Sequence, residues 1–190
     1  MKVILLLLAA VSCSVFAQDT RQSIESFSPS PSQVFYLDLD TAPGASSQWR
    51  HDVVGTLSAL QATVRVPTIR PDPKWSPTFA LWLEKSGEGQ KHNRVTVQFF
   101  TPPNQKPPLA IRILRVDDGK LAVSESSDTT VSLDENVKLE MVWTTSMLTI
   151  KIGSSEVHKV PIPWLIDSVG VSASTGEMEV NRLVLGSAAR

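Results

Sequence analysis

The chain has 190 residues, 42% of them hydrophobic and 19% charged, which is typical of a globular protein and excludes global disorder. Its 18 basic and 19 acidic residues nearly cancel, and the basic residues form no run. This charge pattern argues against nucleic acid or an anionic membrane surface as a partner.

The first 17 residues have the three parts of a secretory signal peptide. Lys2 gives the positive start, residues 3–11 form an apolar core, and Ala17 ends a small-residue cleavage site. The apolar run is much shorter than the ~20 residues of a membrane-spanning helix. We therefore predict export to the periplasm or the cell exterior, with cleavage after Ala17.

Cys13 offers a competing interpretation of the same segment. The sequence Ala10-Val11-Ser12-Cys13 resembles a bacterial lipoprotein signal, in which the cysteine carries the lipid. Cys13 is also the only cysteine of the chain, so after cleavage at Ala17 no disulfide can form.

Residues 18–33 are polar, rich in Ser and Pro and without periodicity, which is typical of a flexible leader. Residues 34–187 instead show short alternating or apolar runs separated by turn residues, the pattern of one all-β domain. The predicted strands are Val34–Asp40, Gly55–Val66, Thr78–Glu84, Arg94–Phe100, Ala110–Val116, Lys120–Ser124, Val137–Trp143, Met147–Ile152, Val157–Pro161, Val169–Ser174 and Met178–Leu185. Asp118-Gly119 gives the strongest hairpin signal, because both residues tolerate the positive φ of a tight turn.

Alternation within the runs assigns one face of each strand to the core. The opposite faces are mostly polar, and we expect Trp82 and Glu84 to point toward water there. A dry face and a wet face on each sheet predict a two-sheet antiparallel β-sandwich. The predicted core residues are Phe79, Leu81, Leu83, Val95, Val97, Phe99, Val137, Leu139, Met141, Trp143, Leu148, Ile150, Ile152, Val169, Val171 and Ala173.

The C-terminal half, residues 136–186, resembles the concanavalin A-like lectin and glucanase superfamily, including laminin G-like domains. A strand ending in Trp143 is followed by a hairpin to Gly153, then by Gly170-x-Ser172-x-Ser174-x-Gly176 and a closing strand. The resemblance implies a jelly roll in which Phe35–Asp40 pairs with the last strand and in which a concave face or rim loops bind ligand.

The residue patterns of common active sites are missing. Asp38 with Asp40, and Glu177 with Glu179, put two carboxylates on one side of a strand, but neither pair has the third acid of the glucanase pattern. The chain has no Gly-x-Ser-x-Gly elbow, and its three histidines lack zinc-site spacing. Calcium at Asp117-Asp118 is an alternative to a plain hairpin turn.

Aromatic side chains give better candidates, because sugar rings stack their apolar faces on Trp or Tyr. Trp82 is the leading one, with Gln98, Arg112 and Glu140 as its expected polar neighbours. The alternative is that a loop, such as Pro102–Pro108, covers Trp82. Trp143 is expected in the core, and Trp75, Trp164 and Trp49 are expected in loops.

These observations leave three hypotheses open. The first is an exported, non-catalytic module that binds carbohydrate through Trp82, Gln98, Arg112 and Glu140. The second is a protein-interaction or structural module of the cell envelope. The third is an atypical polysaccharide-degrading enzyme, in which Glu140 and Arg112 would converge in a cleft.

Overall fold

The computed structural model describes residues 33–53, 57–87, 91–102, 107–144, 146–154 and 156–187, which form twelve strands in two six-stranded antiparallel sheets. The first sheet has the order β1-β12-β3-β8-β9-β10 and the second the order β2-β11-β4-β5-β6-β7. The first sheet contains β1 (Gln33–Asp40), β3 (Leu57–Ile69), β8 (Val137–Thr144), β9 (Met147–Ile152), β10 (Glu156–Pro161) and β12 (Gly176–Ser187). The second contains β2 (Ser46–Asp52), β4 (Thr78–Lys85), β5 (Asn93–Phe100), β6 (Leu109–Asp117), β7 (Lys120–Val131) and β11 (Ser168–Ser174).

The signal peptide predicted at 1–17, with its lipid-bearing Cys13, lies outside the described residues. So does the leader predicted at 18–33, except for Gln33, which is the first residue of β1. Within the described ranges there is no helix of the length and apolar character that would cross a membrane.

The core lies between the two sheets, where the alternating residues of facing strands interdigitate. Phe79, Leu81, Val97, Ile113 and Leu148 are each fully buried, as their position in the period-two pattern predicts. Trp143, also predicted in the core, is partly buried and packs against it. The predicted all-β antiparallel sandwich is therefore confirmed.

The two C-terminal strands hold the N-terminal strands in place. β12 lies between β1 and β3 in the first sheet, and β11 lies between β2 and β4 in the second. The expected pairing of the first strand with the last one is thus present, with Phe35 opposite Leu183.

The hairpin between β6 and β7 has the predicted turn. Asp118 has a φ of 50° and Gly119 a φ of 76°, so both central residues are left-handed, as a two-residue hairpin turn requires. The Asp117 carboxylate accepts from Arg115 at 2.8 Å and from the Trp164 indole at 3.4 Å. These contacts hold the Asp117 carboxylate at the hairpin.

β2 was missed by the sequence analysis, and Trp49 and His51 belong to it rather than to a loop. Its exposure alternates, with Trp49 and His51 half-buried and Gln48, Arg50 and Asp52 exposed. Trp49 lies 5.0 Å from the Phe35 ring and stacks on His51 at 5.9 Å, ring centre to ring centre. β2 is an edge strand with one polar face, so its sequence lacks the apolar run that identifies an inner strand.

Candidate functional site

The outer face of the second sheet, which points away from the core, carries three of the four predicted site residues. On β4 the outward residues alternate with Phe79, Leu81 and Leu83, and they include Trp82 and Glu84. Hydrogen-bonded register places Trp82 beside Gly170 on one side and Thr96 on the other. We call this surface the outer face, defined by Arg50, Gly170, Trp82, Glu84, Arg94, Gln98 and Arg112.

Trp82 is on the predicted face, but the prediction that it is exposed there is wrong. Its side chain is only 3% accessible. A Cβ atom at Gly170 would lie 1.9 Å from Cζ2 of Trp82, so the indole lies flat over the bare backbone of the neighbouring strand. The Arg94 guanidinium covers the ring from outside, with Cζ 4.4 Å from the ring centre. Trp82 therefore supports the outer face from beneath and offers no stacking surface.

Glu84 is also buried, contrary to the prediction of a wet position, with its side chain 4% accessible. One carboxylate oxygen accepts from Nε of Arg94 at 2.7 Å and from Nη2 of the same residue, and the other accepts from Nη1 of Arg50 at 3.1 Å. Arg50 Nη2 in turn donates to the Ser86 hydroxyl at 2.6 Å. Since both oxygens of Glu84 are occupied by guanidinium groups, this cluster fixes Arg94 over Trp82.

Glu84→Gln is expected to lower the free energy of unfolding by about 2 kcal/mol, because an amide NH₂ would face guanidinium donors in a buried position. The value stays below that of a fully buried pair, since Arg50 and Arg94 both reach solvent. Urea unfolding followed by tryptophan fluorescence measures it. Asp52→Asn is the matched control, because Asp52 pairs with Arg50 while 81% exposed and should change stability by less than about 0.5 kcal/mol. Equal effects of the two substitutions would contradict the role given to Glu84.

Gln98 and Arg112 lie side by side on the outer face, at paired positions of β5 and β6. Arg112 donates from Nε to the Gln98 side-chain oxygen at 3.0 Å and also from Nη2. Its guanidinium lies over the Phe100 ring, with Cζ 4.6 Å from the ring centre. The two contacts hold both side chains in one arrangement while leaving them half-exposed.

Short side chains lie next to this pair. Gln98 is opposite Ala80 on β4, and Ala80 is opposite Ser172 on β11. Ala80 is buried, whereas the Gln98 amide and the Arg112 guanidinium next to it stay half-exposed. The residues of the Gly170-x-Ser172-x-Ser174 pattern lie on the outward side of β11.

Glu140 does not belong to this site, and the prediction that groups it with Trp82 is wrong. It lies on β8, in the other sheet, where it pairs with Gln61 and Lys151. Its carboxylate is 3.4 Å from the Lys151 ammonium and 3.5 Å from the Gln61 amide. The whole core separates Glu140 from Arg112, so these two cannot converge in one catalytic cleft as the enzyme hypothesis required.

No metal centre was found in the part of the chain that the structure describes, where no three His, Cys, Asp or Glu side chains are grouped closely enough for one. His51 hydrogen-bonds Gln33 at 2.7 Å, and His158 lies 3.4 Å from the Glu125 carboxylate.

The exposed aromatic residues are not those that sequence reasoning favoured. Tyr36 is 72% exposed on β1, and Trp75 is 60% exposed in the loop after β3, where the Asp72 carboxylate accepts from the backbone N–H groups of Lys74 and Trp75. Trp164 is half-buried. Residues 103–106 of the proline-rich loop, which was the alternative cover for Trp82, lie outside the described residues.

Solved structures with the same strand arrangement include enzymes and binding proteins. A lichenase derived from a mouse hindgut metagenome superposes with a TM-score of 0.57 at 9% identity, covering 82% of this chain and 80% of the other. A carbohydrate-binding module of Bacillus subtilis gives 0.53 at 11% identity, covering 84% and 97%. A homodimeric agglutinin from chicken liver gives 0.51 at 10% identity, covering 74% and 100%.

This chain has the concanavalin A-like jelly-roll fold. The expectation from the C-terminal strand pattern is thus confirmed at the level of fold. No protein-family model matches the sequence, and no curated protein does. At sequence identities near 10%, the functional residues of these proteins cannot be assigned to this chain. Its function has to be inferred from its own side chains.

Proposed function

We propose that the protein is an exported, non-catalytic module that binds neutral carbohydrate on the outer face of the second sheet. The observation that carries the proposal is the ordered, half-exposed Gln98–Arg112 pair, in which the Arg112 guanidinium lies over the Phe100 ring. The fold is shared with lectins and a carbohydrate-binding module, which supports this choice of ligand.

The chemistry of this pair suits sugar hydroxyl groups. A hydroxyl both donates and accepts, and a Gln amide with an Arg guanidinium supplies several donors and a carbonyl acceptor in a small area. Fixed side chains lose little conformational entropy when a ligand binds, which favours affinity. Trp82, Glu84 and Arg94 keep the adjoining part of the sheet rigid.

Two features support the remaining parts of the proposal. The positive start, apolar run and small-residue end of residues 1–17 support export. Both oxygens of Glu84, the buried carboxylate of the outer face, are bound by arginines. Glu140 is on the other sheet from Arg112, so the enzyme hypothesis lacks the Glu140–Arg112 pair that it named.

Arg112→Ala should lower the affinity for the bound glycan about 10-fold or more, because a hydrogen bond to a charged group contributes about 1.5–3 kcal/mol. A glycan array followed by titration calorimetry on the retained sugar measures the loss, with Lys120→Ala in the exposed hairpin turn as the control. The proposal fails if wild type retains no glycan, or if Arg112→Ala binds as tightly as wild type. Recovery of an envelope protein with no glycan binding would instead support an interaction module.

A further inference from the structure

The first sheet also has a solvent-facing side, on the opposite side of the sandwich from the outer face. This side has a depression of about 300 Å³. It lies where β12, β3, β8 and the end of β9 meet, and Gly153 contributes no side chain to fill it. Its lining includes the polar residues Gln61, Thr63, Lys138, Glu140 and Arg182. This volume is at the lower end of the range for ligand pockets, the size of one or two sugar rings.

Two cations flank a hydroxyl group in this depression. Thr63 is opposite Arg182 on β12 and opposite Lys138 on β8, and directly opposed residues have Cβ atoms about 4.5–5.5 Å apart. Within the described residues neither Arg182 nor Lys138 forms an ion pair. The local positive charge is therefore not neutralised by the protein.

The one carboxylate in the lining is already occupied. Glu140 contacts the Lys151 ammonium at 3.4 Å and the Gln61 amide at 3.5 Å, both on strands adjacent to its own. With Lys151 balancing Glu140, Lys138 and Arg182 leave a net charge of about +2 at this surface, which attracts an anionic group.

An exposed aromatic ring lies at the edge of the same surface. Phe35 and Leu37 on β1 pack against the core, so Tyr36 between them points outward, and it is 72% exposed. Phe35 is opposite Leu183 and Leu37 is opposite Val180, with a bulge between them, so Tyr36 faces the bulge of β12 that contains Asn181 and Arg182. The phenol ring adds a stacking surface on the strand next to that of Arg182, while Lys138 lies two strands beyond Arg182, on β8.

We propose that this depression is a second binding site, specific for an acidic sugar residue, that is, one carrying a carboxylate or sulfate group. Lys138 and Arg182 hold the oxyanion, the Thr63 hydroxyl donates a hydrogen bond to it, and Tyr36 stacks on the sugar ring. The chain as a whole has a formal net charge of −1, so long-range attraction to any polyanion is weak and the site selects by local contacts. This proposal does not depend on the neutral-sugar site of the second sheet.

Titration calorimetry of the full chain with three tetrasaccharides tests it: one from hyaluronan with carboxylates only, one from carrageenan with sulfates only, and neutral cellotetraose. Wild type should bind at least one acidic tetrasaccharide more tightly than the neutral one. Lys138→Ala/Arg182→Ala should remove that preference with a loss of about 10-fold or more, and Tyr36→Ala should weaken binding about 5-fold by loss of stacking.

Control variants separate this site from the first one. Lys120→Ala and Arg112→Ala should keep wild-type affinity for the acidic sugar, and each variant should keep the wild-type melting temperature because the substituted residues are not buried. The proposal is overturned if wild type binds neither acidic tetrasaccharide, or if Lys138→Ala/Arg182→Ala binds it as wild type does. A loss caused by Arg112→Ala alone would assign the acidic sugar to the second sheet and also overturn it.

Discussion

Trp82→Ala is expected to lower the free energy of unfolding by about 3–5 kcal/mol, the usual cost of truncating a buried large aromatic side chain. The indole is 3% accessible, lies on the backbone at Gly170 and carries the Arg94 guanidinium on its outer side. Removal leaves a cavity on the outer face that the sheet backbone cannot close, and Arg94 loses its cation–π contact.

Urea unfolding followed by circular dichroism measures this loss, and calorimetry should show a melting temperature lower by roughly 10 °C. Trp75→Ala is the matched control, because the same side chain is removed from a loop position that is 60% exposed. It should change stability by less than about 1 kcal/mol. Similar effects at the two positions would show that Trp82 is not the buried support described above.

Gly170→Ala is expected to destabilise the fold by about 3 kcal/mol, at the upper end for an inserted methyl group. The new Cβ atom would lie 1.9 Å from Cζ2 and 2.2 Å from Cε2 of Trp82, so the indole has to move. A displaced ring also moves the Arg94 guanidinium and, through it, the contacts of Glu84.

A double-mutant cycle separates this contact from a general effect on β11. In the Trp82→Ala background the methyl group meets no indole, so Gly170→Ala should then cost less than about 1 kcal/mol, a coupling of roughly 2 kcal/mol. Ser172→Ala, two residues along the same strand face, is the control and should be close to neutral. Additive effects of Gly170→Ala and Trp82→Ala would contradict the proposed packing.

The fold could be predicted because its determinants are local. Alternation over Val95–Phe99 requires only a buried side and a more exposed side, and Asp118-Gly119 requires only a turn with positive φ. β2 was missed because Trp49 is the single large apolar residue in an otherwise polar edge strand.

The site could be predicted only in part, because side-chain exposure depends on which strands become neighbours. Gln98 and Arg112 fall on adjacent strands and do meet. The burial of Trp82 depends on Gly170, which is 88 residues further along the sequence (170 − 82). Glu140 was grouped with Arg112 although the chain crosses to the other sheet between β7 and β8. Tyr36 was not singled out among the aromatic candidates, although it lies between Phe35 and Leu37, which face the core.

The positions of β11 and β12 have a consequence for the order in which the molecule can assemble during synthesis. Among the described strands, β1 pairs with β12 alone and β2 with β11 alone, so neither has a partner until the last segment, residues 168–187, leaves the ribosome. Contacts between distant parts of a sequence also slow folding, since a long loop must close before they form. Both sheets therefore stay incomplete until residues 168–187 have been synthesised.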